Sequence, residues 1–225
     1  MTGLKLSIVI PTLNEAQAVG ATLGALAPLR VSGHEVIVAD GGSEDRTREI
    51  AGDLADRVIL APRGRARQMN AGAAVAGGDA LLFVHADTRL PAHADDLIFK
   101  SLRENLWGRF DVAIEGRSAL LPVIAFFMNT RSRLTGIATG DQAIFVRRAM
   151  FSGFPEIALM EDVAFSKSMR WRSPPACLRA QVVTSGRRWD EQGVLRTMLL
   201  MWWLRLAYFL GAAPDDLARR YAKKT

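Results

Sequence analysis

The chain has 225 residues, 49% hydrophobic and 23% charged, a composition that excludes disorder and allows one sizeable core. A single cysteine, Cys177, excludes an internal disulfide framework, and the short apolar run near the N-terminus ends at Pro11, so no secretory leader is expected and the expected place is the cytoplasm. The net charge of +6 is uneven: 12 basic residues stand against 14 acidic ones through Val112, and 17 against 9 from Ala113 onward. A basic second half points to anionic partners, while no basic stripe interleaved with aromatics marks it for nucleic acid.

In chain order, "LKLSIVI" reads as a strand ended by "PTLNEA", and "AQAVGATLGAL" as a helix. "HEVIVAD" is the next strand, closed by "GGSED", and "RTREIAGDLA" an amphipathic helix. "RVILA" makes a third strand, "ARQMNAGAAVA" a helix, and "DALLFVHAD" a fourth strand running to Asp87. Strand, loop and helix repeated with short connections predict an α/β fold with a mostly parallel open sheet and helices on both faces. The continuous apolar strands agree with burial on both sides. Pro91 then stands at or just before a helix in "PAHADDLIFKSLREN".

Beyond Trp107, "WGRFDVAI" and "QAIFVRR" read as strands, with "ALLPVIAFFMNTRSRL" between them as a helix interrupted early by Pro122. "EDVAFSKSMRW" predicts a helix and "ACLRAQVVTSG" a strand. "GVLRTMLLMWWLRLAYFLG" predicts a strongly apolar helix and "PDDLARRYAKK" a short polar one. At 1.5 Å per residue, the apolar core of that helix is too short to cross a bilayer, and Arg196 and Arg205 interrupt the segment. Its expected partner is a membrane interface, a second copy or its own domain.

Ligands of open parallel sheets bind outside the carboxyl ends of the strands. The first strand delivers Thr12, Asn14 and Glu15 there, and the second Asp40, Gly41, Gly42 and Ser43. The helix after the third strand begins near Arg63, Arg65, Arg67, Gln68 and Asn70, and the fourth strand delivers His85, Asp87 and Thr88. Together these suit a phosphorylated ligand with a hydrogen-bonded base. Neither GxGxxG nor GxxxxGK[ST] is present, and "AGAAVAGG" reads as close helix packing with a C-cap, so phosphates would be held by a metal and arginines.

The motifs "SIVIPTLNEA", "VIVADGGSEDRT", "GRARQMNAGA", "LLFVHADTRLP", "ALMEDVAF" and "SGRRW", in this order, resemble the family 2 glycosyltransferases with the GT-A fold, from Leu6 to about Trp189. Within that family the chain also resembles the short single-domain members encoded beside radical-SAM proteins, some assigned to arsenosugar biosynthesis. The resemblance implies a GT-A domain over residues 1–190, followed by a helical extension over 191–225. It also implies a nucleotide-diphosphate sugar donor, usually a uridine one, and transfer with inversion to an unidentified acceptor hydroxyl. Pro11, Thr12, Asn14 and Glu15 match the first nucleotide-binding loop, Asp40 the carboxylate on the uracil edge with Gly41, Gly42 and Ser43 around it, and Arg67 a nucleotide arginine, with Asn70 on the same helix. Asp87 matches the last carboxylate of the metal motif, where His85 replaces the first.

A divalent cation bridging both phosphates would stabilise the leaving nucleoside diphosphate. Mn²⁺ or Mg²⁺ is expected, Asp87 being an oxygen ligand for either and His85 an imidazole suited to Mn²⁺. By the same resemblance Asp162 is the catalytic base and Glu161 supports it. Gly140, Asp141 and Gln142 stand on the acceptor side, and Arg188 and Trp189 would close over the diphosphate and sugar. Two other readings compete. A sugar-nucleotidyltransferase would carry a glycine-rich basic loop where "PTLNEA" stands, and a noncatalytic nucleotide-sugar-binding module would not need Asp162. A peripheral seat at the inner face of the membrane, or a homodimer, would use the C-terminal helix.

Overall fold

A computed structural model describes residues 3–222. β1 (Leu6–Thr12), β2 (Glu35–Asp40), β3 (Arg57–Leu60) and β4 (Ala80–Phe83) are joined through α1 (Val19–Val31), α2 (Thr47–Leu54) and α3 (Arg65–Ala74). β2 and β4 flank β1 in parallel, and β3 runs parallel outside β2. Leu6, Ile8 and Ile10 join the cluster that holds Val19, Leu23 and Leu26 of α1, while Val9 and Ile37 join Met69 and Ala73 of α3. Both faces of β1 and β2 are therefore dry, which is why their sequences are almost unbroken apolar runs. A Cβ on Gly72 would lie 2.4 Å from Val9 Cγ1, so this glycine lets α3 approach the sheet. Gly77 and Gly78 make a tight turn rather than a left-handed cap, their amides donating to Glu35 Oε1 and Ser7 Oγ.

The second half is β5 (Thr88–Arg89), α4 (Ala94–Ser101), β6 (Trp107–Glu115), α5 (Leu121–Thr135), β7 (Phe145–Arg147), α6 (Glu161–Arg170) and β8 (Ala176–Ser185), then α7 (Arg187–Gln192), α8 (Val194–Phe209) and α9 (Pro214–Ala222). The described strands form one sheet in the order β3-β2-β1-β4-β7-β6-β8-β5. β7 is antiparallel to both β4 and β6, β6 and β8 are parallel, and β5 is antiparallel to β8.

Two expectations change. The fourth strand does not run to Asp87. It stops at Phe83, and the chain crosses to the far edge, where Thr88 pairs with Thr184 of β8. His85 and Asp87 thus lie in the link between two strands. Pro122 does not interrupt α5: it sits in the first turn, where its missing N–H breaks no helical bond. Beyond β8, "RRW" begins α7.

α8 packs on its own domain through one face. Leu200 and Leu204, with Leu217 of α9, cluster with Ile137, Met160 and Val163 beside the start of α6. The opposite face, Leu195, Leu199, Trp202, Leu206 and Phe209, is exposed. No helix among the described residues is long and apolar enough to cross a membrane.

Candidate active site

A cleft of about 480 Å³ opens where the ends of β1, β4 and β8 meet the starts of α3, α6 and α7, and α8 and α9 close one side. Pro11, Thr12 and Glu15 enter it from β1, Arg65 from α3, and His85 and Asp87 from the link after β4. Asp141, Glu161 and Asp162 enter from the acceptor side of the sequence reading, and Arg187, Arg188 and Trp189 from α7. Residues as far apart as Pro11 and Trp189 therefore share one cavity.

Several expected ligand-binding residues instead build the cavity's frame. Asp40 is fully buried. Its Oδ1 accepts the amides of Gly42 and Ser43 at 3.0 and 2.8 Å, and its Oδ2 accepts the hydroxyls of Thr12 and Ser43 at 3.0 and 2.5 Å. The carboxylate's work is to hold the β1 and β2 loops together, with Gly42 taking the left-handed conformation that the turn requires. Asn14, at φ +55°, extends the same frame by accepting the amide of Glu44 through Oδ1 while its own amide donates to Ser43 Oγ. Gln68 donates to the carbonyls of Thr12 and Ala39, and a Cβ on Gly41 would press on its amide at 3.0 Å.

The helix phase of α3 decides between its arginines. Residues two apart on a helix face different directions. Arg67 points to the outer surface, where its Nε lies 3.3 Å from Glu156 Oε2 and both side chains are more than half exposed. Arg65 faces the cleft, 3.8 Å from Glu161 Oε1. Asn70 clasps the backbone N–H and carbonyl of Phe154 and so pins the loop that leads to α6. Arg65→Met is therefore expected to weaken nucleotide binding by about tenfold, as loss of a charge-assisted contact does, whereas Arg67→Met leaves it within about twofold; calorimetry with uridine diphosphate reads both.

His85 differs most from its expected role. Its Nδ1 lies 3.4 Å from Asp141 Oδ1, and its Nε2 is sealed, without a partner, against Gly140, where a Cβ would stand 2.6 Å away. Nε2 is closed off, and Nδ1 is turned toward Asp141. The imidazole serves Asp141: burial would raise that carboxyl, but the His85 hydrogen bond and the charges of His85, Arg65 and Arg205 bring it down to about 2. Among the described residues Asp87 accepts only the Thr184 hydroxyl, at 3.4 Å, and so keeps lone pairs for another ligand. Among the described residues no three His, Cys, Asp or Glu side chains converge to hold a metal by themselves.

The two acids at the start of α6 differ in environment. Met160, at φ +71°, turns the chain into the helix and leaves Glu161 only 4% exposed. Asp162 is fixed by two amides, Gly140 N–H to Oδ2 at 2.8 Å and Val163 N–H to Oδ1 at 2.7 Å. Burial pushes the Glu161 carboxyl up and the neighbouring Asp162 adds to it, against Arg65. Burial likewise pushes Glu15 up, aided by Asp87 and Asp45, with Arg187 at 3.7 Å opposing. A carboxyl raised on folding binds more protons in the native state, so its burial is least costly at low pH and costs stability as pH rises through its folded pKa. Glu161→Gln is accordingly expected to raise the melting temperature at pH 7–8 and to lose that advantage below pH 4, which a pH series of thermal melts checks.

Four cleft residues escaped the sequence reading as site residues. Arg65 was visible only as one of several arginines, and Arg187 as part of "SGRRW". Arg205 was visible as one of two arginines in a greasy helix. Tyr221 stacks under the Arg188 guanidinium at 4.6 Å. Gln142 is wholly buried, bridging Asn129 and the Thr139 amide, and therefore shapes the acceptor side from behind.

The chain is similar to known proteins in both sequence and fold. Over 91 residues it is 38% identical to the PGL/p-HBAD biosynthesis glycosyltransferase of Mycobacterium tuberculosis, a match covering 37% of this chain and 36% of that protein. It thus overlaps about a third of the length of the curated relatives it matches. Its fold is similar to S. aureus TarS 1–349 in complex with UDP-GlcNAc, with a TM-score of 0.64 and 20% identity, covering 81% of this chain and 58% of that one. It is also similar to glucosyl-3-phosphoglycerate synthase from Mycobacterium tuberculosis in complex with Mn²⁺, uridine diphosphate and glucosyl-3-phosphoglycerate, at 0.63 and 19%, covering 85% and 75%. The architecture is GT-A. Residues 7–153, from β1 past β7, match glycosyl transferase family 2, and the chain belongs to that family.

Proposed function

We propose that the protein transfers a sugar from a nucleotide-diphosphate sugar, with uridine as the nucleotide, to an acceptor hydroxyl, with inversion at the anomeric carbon. The observation that carries this reading is the meeting, in one cleft, of Asp87 and three arginines with the paired acids Glu161 and Asp162. The first group suits a diphosphate leaving group and the second an incoming hydroxyl. Similar folds in complex with UDP-GlcNAc, or with uridine diphosphate and Mn²⁺, support the donor class.

The donor set suits Mn²⁺ or Mg²⁺: Asp87 would hold the ion as a hard oxygen ligand, with diphosphate oxygens completing a shell that the protein alone does not supply. A bound divalent cation neutralises the charge that develops on the departing diphosphate. Arg65, Arg187 and Arg188 add fixed positive charge to the same cleft. Asp162, oriented by its two amides, takes the acceptor proton as the hydroxyl attacks from the opposite face. Glu161 shapes that carboxylate's field and contacts Arg65.

A thermal-shift panel of nucleotide sugars with Mn²⁺ and with Mg²⁺ tests the reading. A uridine-linked donor is expected to raise the melting temperature only with metal; silence from every nucleotide sugar would sink it. The outward stripe of α8 is the proposed peripheral membrane contact, with Arg196 beside it and Arg220 over Trp203 at 5.1 Å as cations for anionic headgroups. Co-sedimentation with anionic but not neutral vesicles, abolished by Trp202→Ser with Leu206→Ser, is the expected result; indifference to lipid charge removes this contact.

A further inference from the structure

A second cavity, of about 530 Å³, lies between α5 and the sheet at β6 and β8. None of its wall residues lines the catalytic cleft. Its origin is in the sheet. β7 pairs with β6 only at Trp107 and Gly108, so the edge of β6 beyond them is left to α5. Asn129 of α5 closes that edge by donating to the Val112 carbonyl and accepting the Val112 amide, both at 2.9 Å. The clasp holds α5 on β6, while Arg179 and Gln181 of β8 stay exposed. Asp111 is in register with Gln181, and alternate residues of a strand share a face. Asp111, Ala113, Arg179 and Gln181 therefore meet at one cavity.

The charges there do not balance. Asp111 is shared: its Oδ1 accepts Nη1 of the wholly buried Arg109, and its Oδ2 accepts Nη2 of Arg133. Two guanidiniums against one carboxylate leave the cluster one positive charge in excess. Arg109 Nε, also buried, has no hydrogen-bond partner among the described residues. Arg179 adds another cation to the wall, and among the described residues no carboxylate pairs with it. Excess charge at the edge of a dry interior is costly unless an anion meets it. The remaining wall is largely apolar, with Ile114 and Ala125 buried and Pro122 and Phe126 exposed. An apolar cavity of this size with a few convergent polar groups suits a small ligand. It is also preformed. Arg133 is tied to the Cys177 carbonyl at 3.0 Å, and Asn129 accepts from Gln142 at 3.2 Å, so the guanidinium still to be matched is that of Arg179.

We propose that this cavity binds a small amphiphilic carboxylate, its head against Arg179 and Arg133 and its apolar body along Phe126, Pro122 and Ile114. The planar fork of Arg179 matches the two oxygens of a carboxylate. A single excess charge in the cluster calls for a single negative charge, whereas a dianionic phosphate would set a second one against Asp111. The site stands apart from the sugar-transfer chemistry and does not depend on it.

The test is calorimetry on the full chain with four probes: octanoate, octanol, acetate and octyl phosphate. Octanoate is expected to bind saturably at one site. Octanol, which lacks the charge, and acetate, which lacks the tail, should each bind at least about tenfold more weakly. Arg179→Gln is expected to weaken octanoate by about tenfold, as loss of a charge-assisted fork does, and its exposed position leaves the fold intact. Ala113→Leu, which fills the cavity from β6, should weaken it by a similar factor. If that variant does not fold, Arg179→Gln decides alone. Arg65→Met in the catalytic cleft, and Trp202→Ser on the outward stripe of α8, are expected to leave octanoate binding within about twofold. The proposal is overturned if octanoate does not bind, or if Arg179→Gln binds it as the parent does. Equal binding of octanol would make the cavity a merely apolar groove, and tighter binding of octyl phosphate would overturn the carboxylate assignment. Loss of octanoate binding in Arg65→Met or Trp202→Ser would place the ligand elsewhere and likewise overturn it.

Discussion

Asp162→Asn is expected to lower kcat by about 10²–10⁴-fold, the usual contribution of a positioned general base, while donor affinity changes by less than about twofold. The asparagine keeps an oxygen for one of the two amides of Gly140 and Val163 and sets its NH2 against the other, so α6 loses one hydrogen bond at its start but keeps its packing, and the side chain has no basic lone pair for the acceptor proton. The comparison with Glu161→Gln is what makes the result specific. If Asp162 is the base, the glutamine variant retains more activity than the asparagine variant, because Glu161 is buried beside Arg65 and acts on the reaction through its neighbours. Steady-state kinetics with separate measurement of donor binding decides between them. An Asp162→Asn enzyme with full transfer or donor-hydrolysis activity would remove the residue from the mechanism.

Asp87→Ala is expected to abolish the metal-dependent part of donor binding, so that affinity for uridine diphosphate in Mn²⁺ falls to the value found with a chelator present. Turnover should drop by about 10²-fold or more, since the leaving diphosphate loses its best-placed electrostatic support. Two features make this sharper than a usual alanine substitution. Among the described residues the Asp87 carboxylate bonds only to the Thr184 hydroxyl, at 3.4 Å, so its loss costs the fold little. His85 is engaged elsewhere, with Nδ1 facing Asp141 and Nε2 sealed against Gly140. Titration of metal and nucleotide into both proteins reads the effect. Unchanged metal and nucleotide binding in the alanine variant would place the cation elsewhere.

The site was legible where a residue's position along a strand decides its role. Glu15 and Asp87 follow buried apolar runs, and a loop at the carboxyl end of a parallel strand opens toward the same side of the sheet as its neighbours. It was less legible where direction matters as well as position. Arg65 and Arg67 are two residues apart in the same basic cluster, and only the phase of α3 sends one into the cleft and the other to Glu156. Asp40 has the right location for a ligand contact, yet the amides and hydroxyls of its own turn and of Thr12 occupy it completely. No local pattern announces that saturation, because the last of the four hydrogen bonds comes from Thr12 on another strand.

The sequence by itself determined the alternation of strands and helices through the first ninety residues, since apolar runs bounded by Gly, Pro and Asn admit few other local structures. It also determined that polar and charged side chains cluster at the ends of those strands. The tertiary structure alone decided the breaking of the fourth strand at Phe83, the antiparallel insertion of β7, and the pairing of Thr88 with Thr184 across the sheet. It also decided that α8 turns Leu204 inward and brings Arg205 to the cleft while Trp202 stays exposed. The physical reason is common to all of these. Propensity and periodicity act over a few residues, whereas pairing across ninety residues, helix phase and the sharing of one charge by several neighbours depend on distances that exist only once the chain has packed.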